Sequence, residues 1–233
     1  MTLQPIKPDN ANRFTALVIG SAGKGKTSLL RTIPEDEPVC VLSAESGLLC
    51  VRDLVESSRI QGFIISSFTD MQDAYMHLRE EAEKGTYRWV FIDSLTEISA
   101  VAVKQMEKEF PNPKDAIKMW GMYTTRMTDL IKGFRDLQPY NVVFTCLDTV
   151  DADELNRRFV GPNMAGKAVK EKLSSDFDEV FYLDIFTKDE TGESRRLLVT
   201  QPINQMPAKD RSGKLKTYES PDLGAIKTKI LGG

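Results

Sequence analysis

One histidine and three cysteines are the only imidazole or thiol groups in this 233-residue chain. His77 has no histidine or cysteine cluster around it, and Cys40, Cys50 and Cys146 form no C-x-x-C pair. A zinc centre and a redox-active dithiol are therefore not expected, and the odd cysteine count argues against a disulfide framework. Cys40 and Cys146 fall inside apolar runs and read as buried, reduced thiols. An excess of one charge is also missing. Lys and Arg total 31 against 34 for Asp and Glu, a formal net charge of −3. That balance excludes a chain-wide basic footprint for nucleic acid but leaves room for a local basic groove. No apolar run approaches the roughly 18 residues of a membrane-spanning helix. Residues 1–8, with Pro5 and Pro8, lack the apolar core of a secretory signal. These absences together predict a cytoplasmic protein with no membrane partner.

What is present centres on residues 17–28. An apolar run, Leu17-Val18-Ile19, ends in Gly20-Ser21-Ala22-Gly23-Lys24-Gly25-Lys26-Thr27-Ser28. This is the phosphate-binding pattern G-x-x-x-x-G-K-[ST], with a strand before it and a helix pattern after it. Its glycines let successive backbone N–H groups converge on a polyphosphate. A helix starting near Lys26 would add its positive end. Lys26 is placed to reach the β- and γ-phosphates, and the Thr27 hydroxyl to hold Mg²⁺.

The rest of the chain reads as alternating strands and helices followed by an antiparallel tail. Residues 1–12 are a polar lead-in, and 13–233 one domain. Strands are expected over 13–19, 38–42, 62–66, 87–94 and 141–146. The helix after Lys26 runs to Thr32 and stops before Pro34. Thr69 or Asp70 caps a helix carrying Met71, Ala74, Tyr75, Leu78 and Ala82, which ends at Gly85. Residues 95–137 are mostly helical, with a break at Phe110-Pro111-Asn112-Pro113. A polar stretch follows over 147–166, then a short helix over 167–175. Strands over 177–186 and 195–200 flank a turn, as a β-hairpin does. Ala208 to Gly213 is a basic turn, and Asp222 caps a last helix.

Four features cluster with the loop. Asp93 closes the apolar strand Trp89-Val90-Phe91-Ile92, the place for a carboxylate that holds Mg²⁺. Glu45 lies just past the second strand. Ligands of such sheets sit outside the carboxyl ends of the strands, so Glu45 shares an edge with the loop and Asp93. A carboxylate there is positioned to take a proton from an attacking water. Glu97, one helical turn after Asp93, competes for that role. Thr145 and Cys146 end the fifth strand on the same edge, where the threonine either contacts the γ-phosphate or bonds its own backbone. Lys209 and Arg211, two apart, face one way if that segment is extended. They suit a polyphosphate in cis or on a neighbouring subunit, or else form a solvated basic turn.

This set resembles the RecA-like core ATPases, from about residue 13 to about residue 215. Within them it is most similar to the short phage-encoded ATPases of single-strand annealing and recombination, the fourth Sak subtype. The resemblance implies a RecA-like α/β core, a mostly parallel sheet with helices on both faces, that hydrolyses ATP with Mg²⁺ under stimulation by single-stranded DNA. It implies that Glu45 activates the hydrolytic water. Lys209 and Arg211 resemble paired cationic fingers that reach the next subunit's γ-phosphate, which places ATP at an interface within a ring or filament. Residues 147–166 occupy the place of a DNA-binding loop, with Arg157, Arg158 and Phe159, and Lys167 and Lys170 beyond. Cations with an aromatic face suit single-stranded DNA; an ordinary flexible loop is the competing reading. A single-strand-binding protein is a further partner of such ATPases. Lys104, Lys108, Lys114 and Lys118 stand among Glu107, Glu109 and Asp115 and read as a solvated face. Many RecA-like proteins carry a glutamine or histidine sensor near the fifth strand; here Thr145, Cys146 and Asp148 stand there. A small-molecule phosphotransferase, with Arg157 and Arg158 in a lid, is the alternative, as is an accessory ATPase for DNA loading or packaging.

Overall fold

The computed structural model describes residues 13–45, 47–152, 156, 158–187, 192–203 and 206–232. The lead-in expected over 1–12, and Arg157, lie outside the described residues. Among the described residues eleven strands follow in chain order: β1 (Thr15–Ile19), β2 (Val39–Ser43), β3 (Ile60–Ile64), β4 (Trp89–Asp93), β5 (Asn141–Cys146), β6 (Asp148–Ala152), β7 (Arg158–Pro162), β8 (Glu179–Thr187), β9 (Ser194–Val199), β10 (Lys209–Asp210) and β11 (Tyr218–Glu219). The α-helices are α1 (Arg52–Glu56), α2 (Phe68–Ala82), α3 (Leu95–Glu109), α4 (Ala116–Arg135), α5 (Lys167–Asp176) and α6 (Leu223–Leu231).

The described residues form a nine-stranded sheet in the order β11-β9-β8-β1-β5-β4-β2-β3, with β10 also on β8. From β8 to β3 every pairing is parallel, whereas β9, β10 and β11 join antiparallel. The runs TALVI, VCVLS and WVFID are buried at every position. Such unbroken apolar runs belong to parallel strands covered on both faces. One face packs against α2, α3, α4 and α5 through residues such as Met71, Ile98, Met127 and Leu173. The other packs against the turn that follows the loop, α1 and α6 through Leu29, Leu54 and Ile226. The mixed α/β class, the helices on both faces and the antiparallel tail are as the sequence predicts, and this is a P-loop NTPase fold.

Register brings the site together. Ile19 pairs with Cys146 and Ser43 with Asp93, so β1, β2, β4 and β5 end together. Gly20, Glu45, Asp93 and Thr145 therefore meet at one sheet edge.

Several local expectations need correction. The segment after the loop is a 3-10 helix of six residues, Thr27–Thr32, not a full α-helix. Its dipole is correspondingly short, and the cradle rests on the loop amides themselves. β3 is Ile60–Ile64 and not 62–66, because it pairs with β2 from Val39↔Ile60 to Ser43↔Ile64. The cap of α2 is Ser67. Its hydroxyl accepts the Asp70 N–H at 3.1 Å, and the Asp70 carboxylate accepts the Ser67 N–H at 2.8 Å. Asp70 is thus the reciprocal partner of a capping box rather than the cap. Residues 147–166 are no plain loop: β6 and β7 pair antiparallel from Asp148↔Pro162 to Ala152↔Arg158. His77 lies edge-on to Phe63 with ring centres 5.3 Å apart.

Candidate functional site

The loop leaves β1 at Gly20, whose N–H donates to the Cys146 carbonyl at 3.2 Å. A Cβ on Gly20 would stand 2.5 Å from the backbone oxygen of Leu183, so strand β8 leaves room for glycine alone. Gly25 has φ +100°, a conformation that side chains beyond glycine rarely adopt. Lys26 is 8 % exposed, and its ammonium donates to the carbonyls of Gly20 at 2.6 Å and Ser21 at 3.0 Å. Burial pushes the Lys26 pKa below its ordinary 10.5, and the carboxylates of Asp93, Glu45 and Asp148 oppose that fall. Three acidic groups thus sit within electrostatic reach of this one cation.

Asp93 is 4 % exposed. Its Oδ2 accepts the Thr27 hydroxyl at 2.7 Å and its Oδ1 accepts the Thr145 hydroxyl. Burial pushes its carboxyl pKa up, and the two threonine hydroxyls pull it back. Thr145 therefore orients Asp93, a third outcome beside the two the sequence left open. Glu45 Oε1 accepts the Ser94 hydroxyl at 2.7 Å, which ties the second residue past β2 to the residue after Asp93. Glu97 stands in the first turn of α3, without a hydrogen bond or ion pair to these groups among the described residues.

The chain matches the AAA domain family over residues 12–212. It belongs to that family. No curated protein is similar enough to the chain to count as a match. An AAA domain is a nucleotide-binding, ATPase-type module, and its family generally uses ATP and Mg²⁺. The residues of this AAA domain fit both. A buried carboxylate held by two hydroxyls is a hard-oxygen donor set suited to Mg²⁺. A buried lysine held by two loop carbonyls, in a loop with φ above zero at Gly23 and Gly25, suits phosphate oxygens.

Around this AAA core the other expected residues fall differently. Lys24 forms an ion pair with Asp184 of β8 at 2.7 Å. Ala22 and Gly23 are exposed at the loop's tip, and Ser28 lies within the 3-10 turn. Ser21 donates its hydroxyl to Asp148 Oδ2 at 2.9 Å, and the Tyr182 hydroxyl donates to that same oxygen at 2.7 Å. Sequence reasoning noted Asp148 only as a neighbour of the fifth strand; Tyr182 carried no signal.

Lys209 and Arg211 do not reach their own phosphate loop. β10 pairs with the start of β8, Lys209 opposite Val180 and Asp210 opposite Glu179. β1 runs parallel to β8 from Ala16↔Glu179 to Ile19↔Tyr182, so the loop lies beyond the far end of that pairing. Lys209 donates to the carbonyls of Ser174 and Phe177, and Arg211 binds Asp178. Of the readings the sequence left open, action in cis does not fit this placement, because strand pairing sets both cations at the opposite edge of the sheet. Arg158 and Phe159 begin β7 and are exposed, and Lys167 begins α5 with Glu171 at 3.8 Å.

Proposed function

We propose that this protein is a RecA-like ATPase that acts on single-stranded DNA, in annealing or recombination of the phage type. The observation that carries the reading is the β6–β7 hairpin beside the nucleotide edge. Phe159 on that hairpin is 39 % exposed and lines a cavity of about 650 Å³ together with Lys167, Lys170 and Pro207. Arg158, next to Phe159, is exposed and has no ion pair among the described residues. An aromatic face with two lysines lining the same cavity suits stacking of a base and neutralisation of its phosphates. Lys170 is held by Asp151 and Lys167 by Glu171, pairs that phosphate groups would have to replace.

In the proposed reaction Lys26 holds the phosphate oxygens and Thr27 and Asp93 hold Mg²⁺. Bound there, Mg²⁺ neutralises charge that develops on the phosphates. Glu45, oriented by Ser94, takes the proton of the water that attacks the γ-phosphate, giving ADP and phosphate. Lys209 and Arg211, away from their own loop, act on the nucleotide of the next subunit, which calls for a ring or filament.

The test is ATP hydrolysis with and without single-stranded DNA, alongside particle size in solution. Faster hydrolysis with DNA by an oligomer supports the reading. A monomer whose hydrolysis ignores DNA, or one that phosphorylates a small molecule, refutes it.

A further inference from the structure

The strands β8 and β9 run along one flank of the phosphate loop, and three contacts mark their path. The Leu183 backbone oxygen closes on Gly20. Asp184 pairs with Lys24 at 2.7 Å. Arg196 of β9, opposite Ile185 in the ladder, lays its guanidinium on Gly25. A Cβ on Gly25 would stand 3.3 Å from Arg196 Cζ and 3.4 Å from both Nε and Nη1.

Arg196 is exposed and makes no hydrogen bond or ion pair among the described residues. Its neighbour Arg195, by contrast, binds Glu193 at 2.9 Å. An arginine has five N–H donors in a planar fork that matches phosphate oxygens. Here that fork is uncommitted, rests on a strand rather than a loop tip, and touches the residue immediately before Lys26. The loop amides around Gly25 are those that cradle the α- and β-phosphates.

We infer that Arg196 is a nucleotide-binding residue that acts in cis, gripping the phosphate oxygens of the triphosphate from the β9 side of the loop. The inference rests on the nucleotide reading of the loop. It adds a second cation from the same subunit, beside Lys26, to a site whose remaining proposed cations, Lys209 and Arg211, come from a neighbour. Arg196 stands beside Gly25, whereas Glu45 and Asp93 stand at the ends of β2 and β4. Its contribution is therefore to holding the nucleotide rather than to the chemical step.

The test measures binding of ADP, and of inorganic pyrophosphate as its competitor, to the full chain and to Arg196→Ala, Arg196→Lys and Lys26→Ala. Arg196→Ala weakens ADP and pyrophosphate by the same factor, about tenfold. Arg196→Lys restores part of that loss, and in hydrolysis the defect appears mainly in KM. A melting curve matching the parent chain confirms that the exposed site folds. ADP affinity unchanged in Arg196→Ala but lost in Lys26→Ala overturns the inference and leaves the loop reading standing. Weakened ADP with unchanged pyrophosphate also overturns it, because the arginine then serves the nucleoside. A parent chain that binds neither probe refutes the nucleotide reading itself.

Discussion

Glu179→Gln tests the charge balance beneath the Lys209–Arg211 turn. Glu179 opens β8, is 2 % exposed, and has its Oε2 buried without a partner among the described residues. Its Oε1 accepts the Ser212 N–H at 3.3 Å. Asp178, Asp210, Lys209 and Arg211 surround it. Burial foremost, and then the Asp210 carboxylate, push the Glu179 pKa from 4.5 to about 8. Asp210 is half-buried, which alone would raise it, yet Ser212 and the amides of Leu215 and Gly213 hold its pKa low. Glu179 thus binds its proton more tightly in the folded chain than in the unfolded one. The stability this proton supplies is full below about pH 4.5 and lost as pH rises through about 8. Each unit of separation is worth about 1.4 kcal/mol, so the loss by pH 9 reaches about 5 kcal/mol at most. Glutamine keeps the shape and cannot ionise. Urea unfolding between about pH 5 and about pH 9 checks the sign. The difference between parent and Glu179→Gln cancels the other titrating groups and leaves this one. The parent should lose stability relative to the variant as pH rises, by several kcal/mol. Parallel curves for the two proteins would refute the reasoning.

Three further outcomes are expected. Gly20→Ala sets a Cβ 2.5 Å from the Leu183 backbone oxygen; overpacking of this kind costs about 1–3 kcal/mol and displaces the loop, so both melting temperature and nucleotide affinity fall. Glu45→Gln keeps nucleotide binding and lowers turnover by about 10²–10⁴, while unchanged turnover transfers the role to Glu97. Arg211→Ala leaves stability near the parent's, since its pair with Asp178 is exposed, but loses hydrolysis; mixing it with Lys26→Ala restores activity if the finger serves a neighbouring subunit, and no restoration speaks against action between subunits.

The phosphate loop was legible because Gly25, Lys26 and Thr27 carry their geometry with them. Asp93 and Glu45 were legible by position, the one closing and the other just past an apolar run that could only be a buried strand. The β6–β7 hairpin was not, because Asp148-Thr149-Val150-Asp151-Ala152 has one large apolar residue and no alternation, and its partner strand ends in Gly161-Pro162. No periodicity distinguishes that from a loop until the two segments pair. The Ser67 cap was overlooked for a similar reason. Asp70 looks like a cap in isolation and becomes its reciprocal partner only once the helix start is fixed. The places of Lys209, Arg211 and Arg196 depend on register with β8, a non-local quantity that spacing along the chain does not encode.

Asp148 gives the molecule a mechanical property. One oxygen, Oδ2, accepts hydrogen bonds from the hydroxyls of Ser21 in the phosphate loop and Tyr182 in β8. The same residue is the first rung of the β6–β7 ladder, opposite Pro162. Loop, central sheet and hairpin therefore share a single pivot atom. A displacement of Ser21 reaches the root of the hairpin through that oxygen, and a small rotation at a lever's root becomes a larger displacement at its far end. Phe159 lies at the other end of that lever, opposite Asp151 in the ladder.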